Sequence, residues 1–326
     1  MMKLNLHSHL EGRLRPLTAA ALAAEAGVQP PPGGWEQALQ LDGPSNLTVY
    51  LSKVAATYPF FRSPAHIARI ACEAVEDAAA DGTDYLELRF GPATHVHLGF
   101  DLDSVIAAAC DGVREGMIRT RIHAGVVIAA LRHHDAETNI GVARAACRFA
   151  GKGVVGFDLA GDESLFNDLA QYEKPFAIAR AVGLGLTCHA AEAAPGSAAR
   201  EAVERFGVTR IGHGAHLAED HESLQWVRDR GVVVECCPTS NWYTGAIARR
   251  SLHPAIYFRS QNLKIVLGDD NPIQTKSLLS SERRVLVDEL GFGERDLRTL
   301  DLTSIHAAFV EDAVRRDFIF RLDEKP

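Results

Sequence analysis

Eight short apolar runs, near residues 3, 84, 122, 154, 185, 209, 232 and 263, recur along this chain, and helix-patterned segments separate them. Each run has the length of a buried strand. Proline opens and glycine closes the first helical segments, as in Pro16 to Gly27 and Pro64 to Gly82, which is where helices accept those residues. Alternating strands and helices imply parallel strands. Eight such units imply an α/β fold closed into a (β/α)8 or TIM barrel, and 326 residues suit one such domain spanning 1–326. An open doubly wound sheet is the alternative. No GxGxxG follows a strand, which removes the main reason to prefer a dinucleotide-binding fold. Two longer helical stretches are expected outside the strict alternation, one from about Leu47 to Phe61 and one from about Glu282 to the end.

A barrel of this kind carries its active site at the C-terminal ends of the strands, so only those ends need to be read. The first strand runs into His7-Ser8-His9. Residues i and i+2 of an extended chain point to one side, so both imidazoles can reach one metal ion. The fifth strand ends at His189-Ala190-Ala191-Glu192, the sixth at Gly212-His213-Gly214, and the eighth at Gly268-Asp269-Asp270-Asn271-Pro272. Three imidazoles, His7, His9 and His189, with a carboxylate from Asp270 or Asp269, suit Zn²⁺ better than the oxygen-seeking Mg²⁺ or Ca²⁺. A water on such an ion has its pKa drawn toward neutrality. Glu192 stands where it can move a proton between that water and a substrate, and His213 where it can stabilise developing charge. Others, among them His95, His97 and His133, are read as ordinary satisfied histidines. Tyr50, Tyr58, Phe60 and Phe61 are read as core or lid packing, with a substrate-facing role open to one of them.

Composition narrows the partners. The formal net charge of −8 argues against a nucleic-acid backbone, and no run reaches the roughly 18 apolar residues of a membrane span. The N-terminus shows no signal-peptide pattern. The six cysteines form no CxxC pair and read as buried free thiols of a cytoplasmic protein.

The motifs at the strand ends resemble, in order, those of the adenosine/adenine deaminase family of zinc aminohydrolases. They are His7-Ser8-His9-Leu10-Glu11-Gly12, Asp158-Leu159-Ala160-Gly161-Asp162-Glu163, His189-Ala190-Ala191-Glu192, Gly212-His213-Gly214, Cys237-Pro238-Thr239-Ser240-Asn241 with Thr244-Gly245 and His253-Pro254, and the Asp-Asn-Pro of Asp270 to Pro272. The resemblance implies a (β/α)8 barrel holding one Zn²⁺ per chain on His7, His9, His189 and Asp270. It implies that Glu192 protonates the ring nitrogen beside the reacting carbon and that His213 orients and helps activate the hydroxide. Glu11, Gly161 and Asn271 would contact a small-molecule purine, Gly161 through its backbone N–H. Adenosine and 2′-deoxyadenosine are the favoured substrates. Adenine or a 5′-modified adenosine is the alternative, and a non-purine amino-heterocycle deaminase or a non-catalytic purine or metal binder is more distant. Self-association stays open.

Three residues depart from the family pattern. Many members carry Asp-Asp before the proline, so either Asp270 binds metal with Asn271 in the second role, or Asp269 and Asp270 fill both; the gapless register favours the former. Glu11 stands where adenosine-specific members often have Asp. Ala191 stands where glycine is common, and its added methyl is expected to be tolerated.

Overall fold

The structure, a computed structural model, describes residues 1–96 and 99–324; His97 lies outside them. Eight strands, β1 (Leu4–His9), β2 (Tyr85–Phe90), β3 (His123–Leu131), β4 (Val154–Ala160), β5 (Gly185–Ala190), β6 (Arg210–His213), β7 (Val233–Cys236) and β8 (Lys264–Leu267), follow one another in sheet order. All seven neighbouring pairs are parallel. The ring closes just beyond β8, where the His9 N–H donates to the Asp270 carbonyl at 2.7 Å and the Asp270 N–H to the His7 carbonyl at 2.9 Å. A Cβ on Gly268 would lie 2.4 Å from His7 Cβ, so glycine is required for β1 and β8 to meet. The expected (β/α)8 barrel is the observed fold. Strand β1 extends through both histidines, and its register with β2 slips between Asn5 and Ser8, the mark of a bulge.

The apolar faces of the strands pack outward on the helices. The lumen is different: Glu87, Arg89, Asp158, Thr187, Arg210 and Glu235 are fully buried there or nearly so. Arg89 bridges Asp158 (2.8 Å) and Glu235 (2.9 Å), and Arg210 Nε reaches Glu235 at 2.7 Å and its Nη2 reaches Glu87. Buried charges persist only when paired and hydrogen-bonded, and here each carboxylate has a guanidinium.

The first long helical stretch is broken where one helix was expected, and the C-terminal helical region is in several pieces. The first is a helix over Leu47–Ala55 followed by a 3₁₀ turn at Tyr58–Phe60. The C-terminal region is divided into Leu279–Arg284, a π turn, Glu294–Ala307 and Asp312–Glu324. The last break has a use. Phe309 enters the lower end of the lumen, its N–H donating to Glu87 Oε1 at 2.7 Å and its ring 3.6 Å from the Arg210 guanidinium. A Cβ at Gly185 would meet that ring at 2.1 Å. The six cysteines are free, five of them buried. No helix among the described residues is long and apolar enough to cross a membrane.

Candidate metal centre and active site

His7, His9, His189 and Asp270 each offer a ligand atom within 4.8 Å of the others. They come from β1, β5 and the turn after β8, all at the C-terminal mouth of the barrel. His9 Nε2 lies 3.1 Å from His189 Nε2 and 3.2 Å from Asp270 Oδ1, and His7 Nε2 lies 3.5 Å from the same oxygen. His7 Nε2 is buried without a hydrogen-bond partner among the described residues. An orphaned imidazole nitrogen facing two other imidazoles and a carboxylate is the donor set of a divalent cation site.

The opposite ring nitrogens are anchored from below. His7 Nδ1 lies 2.6 Å from Glu235 Oε2, and His189 Nδ1 lies 3.1 Å from Asp158 Oδ2. Carboxylates so placed fix the ring orientation and leave Nε2 as the free lone pair. These are the lumen carboxylates that Arg89 clamps together. Asp270 has its own supports: Tyr50 Oη donates to Oδ2 at 2.8 Å and Ser240 Oγ at 2.5 Å. Oδ1 is thereby left to the histidines and to Asn271 Nδ2, 2.9 Å away. Asp269, the other carboxylate weighed for the metal, turns away and is paired with Arg13, whose Nε also donates to Ser8 Oγ at 2.9 Å.

Glu192 and His213 stand beside this cluster, and both line a cavity of about 350 Å³ together with Glu11, Gly161 and Asn271. Burial and the neighbouring Asp270 charge push the Glu192 carboxyl up to about 8, so it carries a proton at neutral pH. Burial holds the His213 ring well below the usual histidine value, so it is neutral. The His213 ring centroid is 4.7 Å from that of His7 and 5.0 Å from that of His189.

Three residues at the mouth take left-handed backbone without being glycine: Ala191 (φ 57°), His213 (φ 65°) and Asp270 (φ 57°). Such conformations cost about 1–2 kcal/mol each. The turn at Ala191 is held by Glu163, whose carboxylate accepts the N–H groups of Ala191 (2.8 Å), Glu192 (2.9 Å), Ala193 (3.0 Å) and Ala194 (3.3 Å). The methyl of Ala191 is fully buried within it. Removing that carboxylate strands several inward-facing N–H groups, so Glu163→Ala is expected to destabilise the fold by about 3 kcal/mol or more, read from urea unfolding. A change under about 1 kcal/mol would mean the turn holds itself.

Sequence reasoning passed over several residues here. His95, read as an ordinary histidine, is buried against Phe61 and its Nε2 lies 3.0 Å from Glu11 Oε1. His133, read the same way, lines the cavity; so do Tyr50 and Tyr58, two of the four aromatics among which a substrate-facing role was left open. Nothing in their local sequence separates them from core residues. Glu235 is one polar residue in an apolar strand, and that exception was the available signal.

A family model described as adenosine deaminase matches residues 2–325 of the chain. An adenosine deaminase of Clostridium perfringens is 31% identical over 317 residues, covering 96% of this chain and 95% of that protein. Among solved structures, an adenine deaminase from Arthrobacter aurescens aligns with a TM-score of 0.90 at 23% identity, over 99% of this chain and 98% of that one. A zinc-bound amidohydrolase from Burkholderia ambifaria aligns with a TM-score of 0.89 at 24% identity, over 99% and 91% of the two chains. The two structural likenesses speak for the fold. The family match across nearly the whole sequence goes further, and on it the chain belongs to the adenosine deaminase family.

Proposed function

We propose that this protein is a Zn²⁺-dependent aminohydrolase that converts a 6-aminopurine, adenosine foremost, to the 6-oxopurine and ammonia. The observation that carries this reading is the buried Glu192 carboxyl lining the same cavity as the donor cluster of His7, His9, His189 and Asp270, in a chain of this family. Three imidazole nitrogens and one carboxylate favour Zn²⁺. Bound there, Zn²⁺ would lower the pKa of a water toward 7 and make hydroxide available at neutral pH.

The chain's own groups supply the rest. Glu192 gives its proton to the ring nitrogen beside C6, so that the electron pair of the C=N bond is received as oxygen adds to C6. His213 holds the incoming oxygen. Asn271 uses one amide hydrogen on Asp270 Oδ1 and keeps the other for the purine N7. The Gly161 N–H is offered to the purine ring. Glu192, now a carboxylate, takes the proton of the added hydroxyl and passes it to the amino nitrogen, and as the C6=O bond forms the C6–N bond breaks and releases ammonia.

The cavity also bears on the rest of the substrate. Among the described residues no lysine or arginine lines it, whereas Glu11 and Asp162 do. These carboxylates suit ribose hydroxyls, which donate, and repel a 5′-phosphate. Glu11, held by His95 at 3.0 Å, faces that end. Because Glu is common at this position in enzymes acting on adenine or modified adenosines, adenine or a 5′-modified adenosine is the second reading.

The test is a panel of adenosine, 2′-deoxyadenosine, adenine and AMP, followed by the ultraviolet shift on deamination, with and without a chelator. Adenosine is expected to turn over, AMP to have a kcat/KM at least about 100-fold lower, and chelation to abolish activity that added Zn²⁺ restores. Turnover of adenine with both nucleosides inert would select the second reading. Chelator-insensitive activity would remove the metal from the mechanism.

A further inference from the structure

The segment from Cys237 to Pro254 carries several of the family-like residues, and the mechanism above uses none of them. Asn241, on the short helix Pro238–Tyr243, and His253, after the turn Arg250–Leu252, are both fully buried. They form a chain of hydrogen bonds that ends on Glu192 and His213. The chain begins at a donor whose proton cannot move: the Ala255 backbone N–H donates to His253 Nδ1 at 3.1 Å. Burial pushes His253 down to about 3, so the ring is neutral and its one proton is on Nε2.

That proton decides the next link. His253 Nε2 lies 3.1 Å from Asn241 Oδ1, and an N–H requires an acceptor there. The Asn241 amide is therefore oriented with its oxygen toward His253 and its NH₂ toward the site. The opposite orientation would set the amide NH₂ against the His253 N–H, donor to donor. Both amide hydrogens are used. One goes to Glu192 Oε1 at 3.1 Å and the other to His213 Nδ1 at 3.1 Å. Thr244 Oγ1 donates to the same Glu192 oxygen at 3.0 Å.

We infer that His253 and Asn241 are positioning residues that dictate which atoms of the two catalytic groups carry protons: Nε2 of His213 and Oε2 of Glu192. His213 Nδ1 accepts from Asn241, so the neutral ring holds its proton on the nitrogen remote from Asn241. Glu192 Oε1 receives two donors, so the oxygen free to carry the transferable proton is Oε2. His213 then meets an incoming oxygen as a hydrogen-bond donor rather than as a proton acceptor. With Asn271 in place of a second aspartate, neither residue is the base for the attacking water. The inference rests on the proposed roles of Glu192 and His213, but its first test does not depend on turnover.

The experiment uses zinc-loaded, ¹⁵N-histidine-labelled protein and two-bond ¹H–¹⁵N correlation spectra, with His213→Gln and His253→Gln used to assign the rings. Both rings are expected as Nε2–H tautomers. His213 protonated at Nδ1 would overturn the proposal, whether or not the enzyme deaminates anything. The second arm is kinetic. Asn241→Asp places acceptors on both sides, and is expected to move the His213 proton to Nδ1 and lower kcat at least about 100-fold. KM should stay within about 3-fold, with bound zinc unchanged. His253→Gln, which keeps a donor toward Asn241, is expected to retain most activity, and His253→Phe to lose it. Wild-type kcat in Asn241→Asp, or equal kcat in the two His253 variants, would overturn the relay while leaving the deaminase reading intact. If Asn241→Asp does not fold, the wild-type spectrum and the His253 pair decide. A wild-type protein inert toward every 6-aminopurine would instead sink the deaminase reading, and the tautomer result would stand on its own.

Discussion

Glu192→Gln is expected to retain bound metal and to lose about 10²–10⁴-fold in kcat, the range that a positioned general acid contributes. Glutamine preserves the shape of the side chain, and its amide oxygen can still accept from Asn241 and Thr244, which reach Glu192 Oε1 at 3.1 and 3.0 Å. The missing element is the transferable proton. The same group sets a pH limit. Burial first, then the Asp270 charge, raise the carboxyl to about 8, and in the proposed mechanism its protonated form is the active one. Activity should therefore fall as pH rises, with the alkaline limb at or below about 8, because a bound dication nearby pulls the carboxyl down. The variant should lack that limb. Steady-state rates across pH, paired with metal analysis, check both statements. Wild-type kcat in the variant would remove Glu192 from proton transfer.

Asp270→Ala and Asp269→Ala should fail in opposite ways, although the two residues are adjacent. Asp270 is the carboxylate within reach of three imidazoles. Its loss should weaken metal binding by more than the roughly 100-fold expected of a supporting residue, and abolish activity with it. Asp269 instead pairs with Arg13, and both are about 2% exposed. Removing it leaves a buried guanidinium uncompensated, which costs about 3–5 kcal/mol, while the metal donors remain. Metal content by elemental analysis and stability by urea unfolding separate the two. Full metal occupancy in Asp270→Ala together with metal loss in Asp269→Ala would reverse the assignment.

The legible part of this molecule was the part encoded locally. Strand-length apolar runs, helix caps and the i, i+2 spacing of His7 and His9 depend on neighbours a few residues away. Where the two long helical stretches break was not legible, because the causes are remote. One such cause is the lumen that receives Phe309, whose N–H binds Glu87, 222 residues away. His95 was passed over for the same reason, since its partner Glu11 is 84 residues away.

The sequence by itself determined the order of eight βα units and the placing of His7, His9, His189, Glu192, His213 and an aspartate at strand ends. Periodicity and strand termini are properties of the chain's own backbone, and parallel closure brings such ends to one mouth. Only the tertiary structure decided which of two adjacent aspartates faces the histidines. That choice is made by Tyr50, 220 residues from Asp270, by Ser240, 30 residues away, and by Arg13, 256 residues from Asp269. It also set the chain of contacts from the Ala255 backbone N–H through the His253 ring and the Asn241 amide to Glu192 and His213, which on the proposal above decides where their protons sit. Hydrogen-bond direction is set by the partner each atom meets after folding, and no local pattern records it.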